Sequence, residues 1–172
     1  MQRLRPFLDH PIISRIRRNH GLEHATIHIL SERIHGVSLA GRSTPGGFYL
    51  YGKVPTQDVA QAAQEALSRM NNGEHHLALH PGCGTNFVTA GAFAAVAAFL
   101  AVAGAGRGVR SRLRRLPAMT LAITAALIVS QPAGFAVQRY ITTSGEPGSL
   151  EIISVRMLSG RPFAVHRVET RG

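Results

Sequence analysis

Two long stretches without a charged residue, 87–105 and 116–138, flank a segment whose last nine residues hold five arginines (Arg107, Arg110, Arg112, Arg114 and Arg115). Each stretch is about as long as the ~20 residues an α-helix needs to cross a hydrocarbon core. In a chain of 172 residues too little remains to wrap both in water as core helices. The pattern therefore predicts two membrane-spanning helices joined by an Arg-rich loop. Neither stretch is N-terminal, so a cleaved signal peptide does not account for them. Small residues (Gly91, Ala95, Ala98 and Gly104 in the first; Ala118, Ala122, Ala125 and Ala126 in the second) predict closely packed backbones. Pro132 predicts a kink after Gln131.

Two crossings put the N- and C-terminal portions on one side of the bilayer. The Arg-rich loop argues for a cytoplasmic loop. The free thiol and Arg15, Arg17 and Arg18 of the N-terminal region argue the other way, so the orientation stays open. The net charge of +10 comes from eighteen arginines and one lysine against nine acids. Its concentration between the apolar stretches, with no nucleic-acid-binding motif, points to a bilayer and not to nucleic acid. A single cysteine, Cys83, excludes a disulfide scaffold.

Outside these stretches, residues 13–35 have helical periodicity and stop at Gly36. Ile16, His20, Glu23, His24, Ile27, Leu30 and Ile34 share one stripe, so a polar trio lies inside an apolar face. Residues 41–47 (GRSTPGG) read as a turn, and 48–54 (FYLYGKV) as a strand. A second helix runs over 56–72, with Thr56 as its N-cap, Gly73 ending it, and Val59, Ala63, Ala66, Leu67 and Met70 inward. Residues 76–80 (HLALH) alternate as a short strand before a Pro-Gly-Cys-Gly turn. Two further strands, 150–157 and 163–168, are joined across Ser-Gly-Arg-Pro. An isolated hairpin is marginal in water, so these strands are expected to complete one sheet with 48–54 and 76–80. The resulting class is α+β: a two-helix transmembrane hairpin (87–138) carrying a small extramembrane layer built from residues 1–86 and 139–172.

The chemistry concentrates in two clusters. His20-Gly-Leu-Glu23-His24 is an H-x-x-E-H pattern on a helix, where a spacing of four stacks the imidazoles about 5–6 Å apart at Cβ, suited to one metal ion. Glu23 is placed to polarise a metal-bound water. His80-Pro-Gly-Cys83-Gly84-Thr85-Asn86 offers a nitrogen and a sulfur ligand from one turn at the mouth of the first apolar stretch. Together they predict His20, His24, His80 and Cys83 as ligands of Zn2+ or another divalent transition metal, with Glu23 as the catalytic base and Gly84, Thr85 and Asn86 as the supporting turn. The same residues also suit a hydrogen-bonded buried network with a packed thiol. His10, His28, His35, His75 and His166 read as surface or rim residues, and Phe48, Tyr49 and Tyr51 as sheet core.

The segments HGLEHATIHIL, GRSTPGGFYLYGKVPT and HPGCGTN resemble an uncharacterised bacterial membrane family, the domain of unknown function 6391 family, over nearly the whole chain. E-H followed at a distance by H-P-x-C-G-T is also similar to the YqhQ-type multipass membrane proteins, described as predicted metal-dependent enzymes. The resemblance implies a shared metal-type site at Glu23, His24, His80, Cys83, Gly84 and Thr85, with His20 beside them, in a bacterial cytoplasmic membrane. The H-x-x-E-H order also resembles the inverzincin metallopeptidases, but no downstream helical Glu supplies their third ligand. The expectation is a zinc-dependent, peptidase-like hydrolase acting on a lipid-linked or peptide substrate near the membrane interface. The alternatives are a structural metal site and an assembly subunit.

Overall fold

A computed structural model describes residues 5–103, 108–159 and 164–172. The chain divides into two compact units, one made of residues 1–80 and 139–172 and the other of 81–138.

The first unit is an α+β layer. A short helix α1 (Arg5–Leu8) precedes α2 (Pro11–Arg33), which opens on Pro11, where the missing N–H costs nothing. The hairpin β1 (Ala40–Thr44) and β2 (Gly47–Tyr51) follows, then α3 (Thr56–Asn71) and a 3-10 turn at His75–Ala78. The strands β3 (Glu151–Ser159) and β4 (Val165–Arg171) close a four-stranded antiparallel sheet in the order β1-β2-β4-β3. The central pairing joins the two ends of the sequence, with Phe48 opposite Val168 and Leu50 opposite His166. Phe48, Leu50, His166 and Val168 are fully buried, together with Leu22, Ile29 and Leu30 of α2 and Val59, Ala62, Ala63, Ala66 and Met70 of α3. The α2 stripe is broader than its periodicity implies. Every residue from Gly21 to Ile27 is buried, whereas Ile16, His20 and Ile34 are half-buried.

Several sequence expectations are corrected here. Residues 76–80 form no strand. Consecutive residues Leu77 and Ala78 turn inward instead of alternate ones, and the carbonyls of Ala78 and Leu79 accept from imidazoles of α2 rather than from a neighbouring strand. The stretch 41–47 is not all turn: Ala40–Thr44 is the edge strand β1, and only Pro45 and Gly46 connect it to β2. Position 47 takes glycine on two counts: its φ is +124°, and a Cβ there would meet the Val168 carbonyl oxygen at 2.0 Å. The N-cap of α3 is Pro55 and not Thr56. His166 is fully buried and so is neither a surface nor a rim residue, whereas the half-buried His28 fits a rim position. The Ser-Gly-Arg-Pro connection beyond Ser159, along with Gly104 and Arg107, lies outside the described residues.

The second unit contains α4 (Gly84–Val102), a short α5 (Val109–Leu113) and α6 (Leu116–Val137). The helix α6 winds on through a π turn, Gln138–Thr142, and Pro132 does not end it. Both long helices expose their apolar side chains, with Phe87 at 70%, Val88 at 75% and Leu121 at 73%. They pack along a seam of small residues that keeps Ala98, Ala122 and Ala126 of the expected set half-buried. Ala90, Ala94, Ala97, Ala98 and Ala101 are half-buried, while Gly91, Ala95, Ala118 and Ala125 face outward. At one point of this seam Gly134 approaches Asn86 so closely that a Cβ would lie 2.6 Å from Asn86 Oδ1. The Gln138 side-chain amide donates to Asn86 Oδ1 at 2.7 Å beside it, and Asn86 Nδ2 donates to the Pro81 carbonyl at 2.9 Å.

Candidate metal centre

The helix α2 is held in place by residues far away in sequence. Buried Asn19 donates from Nδ2 to the carbonyls of Thr44 (2.9 Å) and Pro45 (3.2 Å), and its Oδ1 accepts from Thr170 Oγ1 at 2.7 Å. One side chain thus ties the helix to the β1–β2 turn and to β4. On another face, the segment returning from α6 crosses the helix at Gly21. The Ser144 N–H donates to the Arg17 carbonyl at 3.0 Å, and a Cβ on Gly21 would stand 2.1 Å from the Ser144 carbonyl oxygen. The glycine of H-G-L-E-H is therefore required by a chain crossing.

This framework gathers four imidazoles within the first unit. The rings of His20 and His24 meet edge to face with centroids 4.4 Å apart; His24 and His80 are 5.7 Å apart, and His28 and His80 4.8 Å. His20 Nδ1–H donates to the Thr142 carbonyl at 2.9 Å, and His24 Nδ1–H to the Ala78 carbonyl at 2.7 Å. A carbonyl can only accept, so both rings carry their proton on Nδ1 and their lone pair on Nε2. An outer hydrogen bond of this kind fixes tautomer and ring orientation in metal-binding histidines. His28 is bonded the other way round, Nε2–H to the Leu79 carbonyl at 2.8 Å, which leaves its lone pair on Nδ1. Burial, reinforced by the charges His28 and His24 would carry, depresses the His80 pKa to about 4 and keeps that ring neutral, the form that ligates metals.

Glu23 is buried and turned towards β1, where its Oε2 accepts from Ser43 Oγ. Gly41, two residues earlier on the same face of the strand, leaves room for the carboxylate; a Cβ there would lie 2.2 Å from Oε1. Burial pushes the Glu23 pKa up, against the opposing pulls of the Ser43 hydrogen bond and of His20. Ser43 and Gly41 are site residues that sequence reasoning passes over. The stretch reads as turn, so neither residue stands out in the sequence.

Of the anticipated ligands, the structure brings His20, His24 and His80 into one cluster and adds His28. Cys83 occupies the N-cap position of α4 and is buried; with Gly84, Thr85 and Asn86 it belongs to the second unit.

An α+β layer with a buried histidine–carboxylate cluster, carried with two long apolar helices, thus defines the class. The chain belongs to the family described as Domain of unknown function (DUF6391), which matches residues 15–155. It is 36% identical over 143 residues to an uncharacterized protein of Picosynechococcus sp. (strain ATCC 27264 / PCC 7002 / PR-6), an alignment covering 75% of this chain. The chain spans 66% of that relative's length. No solved structure matches it.

Proposed function

We propose that the protein is an integral membrane metal-binding protein whose two long apolar helices cross the bacterial cytoplasmic membrane and whose histidine cluster binds a zinc ion for hydrolysis near the interface. The observation that carries this reading is the paired orientation of His20 and His24, each with its Nδ1–H held by a backbone carbonyl, the outer hydrogen bond that orients metal-binding imidazoles. His80 is the third ligand. Cys83, three residues further along the chain, is the fourth candidate that the sequence names. A zinc ion held with an open position would supply a water whose pKa is lowered towards ~7. Glu23, its own pKa raised by burial and its carboxylate oriented by Ser43, would serve as the base. The exposed apolar surfaces of α4 and α6 support the membrane placement. His80 precedes the start of α4 by four residues, which supports a substrate at the bilayer surface, lipid-linked or peptide.

The expected result is about one zinc per purified chain by mass spectrometry, lost in His24→Ala and kept in Glu23→Gln. A chain without stoichiometric transition metal refutes the reading. A second reading, a structural metal, is favoured by one observation: the same hydrogen bonds tie α2 to residues 78–79 and 142. Absorption spectroscopy on the zinc separates the two, since four protein ligands indicate structure and three plus water indicate chemistry.

A further inference from the structure

The first unit contains a cleft of about 930 Å³ on which α2, the 3-10 turn and the segment returning from α6 converge. Arg17, Arg18, Arg139, His75, His76 and Tyr140 line it. Arg17 and Arg18 are half-buried, yet their guanidinium groups are held by uncharged partners. Arg17 Nη2 donates to the carbonyls of Tyr140 (3.3 Å) and Thr143 (3.1 Å), and Arg18 Nη1 to the Pro147 carbonyl (3.3 Å) and Ser149 Oγ (3.5 Å). Among the described residues no carboxylate lies within 4 Å of Arg17, Arg18 or Arg139, and the buried Nε atoms of Arg17 and Arg18 find no hydrogen-bond partner. The two acids of the cleft, Asp9 and Glu146, are exposed, and Asp9 acts on Arg17 through space as the lesser influence beside burial.

Partly desolvated cations facing carbonyl oxygens leave charge uncompensated, and a planar guanidinium matches phosphate bidentately. The volume suits a group the size of a phospholipid headgroup, well beyond a lone ion. Arg139 and Tyr140 also follow directly on the long apolar helix, where Arg and Tyr side chains meet anionic headgroups when such a helix spans a bilayer.

We infer that this cleft binds a phosphate-bearing anion through Arg17, Arg18 and Arg139, with an anionic phospholipid headgroup or free phosphate as its source. The site stands apart from any metal, although it shares a wall with the histidine cluster: Ala78 and Leu79 line the cleft and their carbonyls hold His24 and His28. Only the lipid source rests on the membrane reading.

The test uses the full chain in a neutral detergent, titrated with dihexanoyl phosphatidylglycerol, dihexanoyl phosphatidylcholine and inorganic phosphate, with the thermal midpoint and calorimetry as readouts. The glycerol lipid is expected to bind and raise the midpoint, the choline lipid not. Competition by inorganic phosphate shows that the phosphate group is what the cleft recognises. Phosphate binding without lipid binding leaves the cleft as a phosphate site and removes the membrane source alone. Arg139→Gln, at an exposed position, is expected to weaken binding about tenfold. Arg17→Gln carries the same expectation, and should it fail to fold, Arg139→Gln decides alone. No binding by either anion, or binding unchanged in Arg139→Gln, overturns the inference. Metal content is measured on the same samples, so loss of the metal reading leaves this result standing.

Discussion

Replacing a mid-helix glycine by alanine ordinarily stabilises a protein by about 1 kcal/mol, because alanine loses less backbone entropy on folding. At Gly21 the opposite sign is expected. The new Cβ would lie 2.1 Å from the Ser144 carbonyl oxygen, 3.1 Å from its carbon and 3.2 Å from Ala78 Cβ. Ordinary contact is about 3.5–4.0 Å, so the crossing backbone must retreat by more than ~1 Å. Overpacking of this kind costs about 1–3 kcal/mol. The retreat also strains the Ser144 N–H bond to the Arg17 carbonyl and the bonds that His20 and Arg17 make to residues 142 and 143, each worth about 1 kcal/mol net. After subtracting the helix gain, Gly21→Ala is expected to destabilise by about 2 kcal/mol, a fall in midpoint of roughly 5–10 °C for a unit of this size. The chain has no tryptophan and three tyrosines, Tyr49, Tyr51 and Tyr140, all in the first unit. Tyrosine emission therefore follows this unit on heating without interference from the apolar helices. A midpoint equal to or above that of the parent protein would refute the chain-crossing account of the glycine.

Asn19→Ala strips buried partners from the Thr44 and Pro45 carbonyls and from Thr170, and is expected to cost about 3 kcal/mol in denaturant unfolding. His166→Leu is expected to leave stability unchanged or raise it by about 1–2 kcal/mol, since both ring nitrogens are buried without a partner among the described residues; a clear loss would reveal a role for the ring. Burial depresses the pKa of both His80 and His166, so each binds fewer protons folded than unfolded. Stability is then complete above the ordinary 6.5 and falls as pH drops towards about 4, and His80→Asn is expected to flatten that decline in metal-free protein. Glu23 has the opposite sign. Its raised pKa makes the folded chain hold the proton more tightly, so stability declines as pH rises above the ordinary 4.5, and Glu23→Gln removes this decline.

The elements legible in the sequence are those whose pattern is local. The two apolar helices follow from uncharged length alone, and α2 and α3 from helical periodicity with glycine just beyond, Gly36 and Gly73 both taking positive φ. Strand β1 is not legible, because Gly-Arg-Ser-Thr has neither clear alternation nor much apolar content. Its place is set by pairing with β2 and by what α2 lays against it: the Glu23 carboxylate over Gly41 and Ser43, and Asn19 at its end. The H-L-A-L-H stretch misleads for a related reason. Alternation is a strand signal only if the backbone carbonyls are free to enter a ladder, and here two of them are taken by His24 and His28.

The motif H-G-L-E-H shows how far spacing carries an argument about chemistry. Spacing of four correctly stacks His20 over His24, because that follows from helix geometry. It says nothing of where each ring's proton sits, and that decides whether a lone pair faces a cation. The tautomers are set by carbonyls at residues 78 and 142, more than fifty and more than a hundred positions away. The glycine between the two histidines is likewise fixed by the backbone at residue 144. The tautomers and the fit at Gly21 are therefore properties of the tertiary fold. A histidine pair transplanted onto an isolated helix would keep the 4-residue spacing and lose both the tautomer control and the crossing segment, and with them the orientation on which the proposed metal site rests.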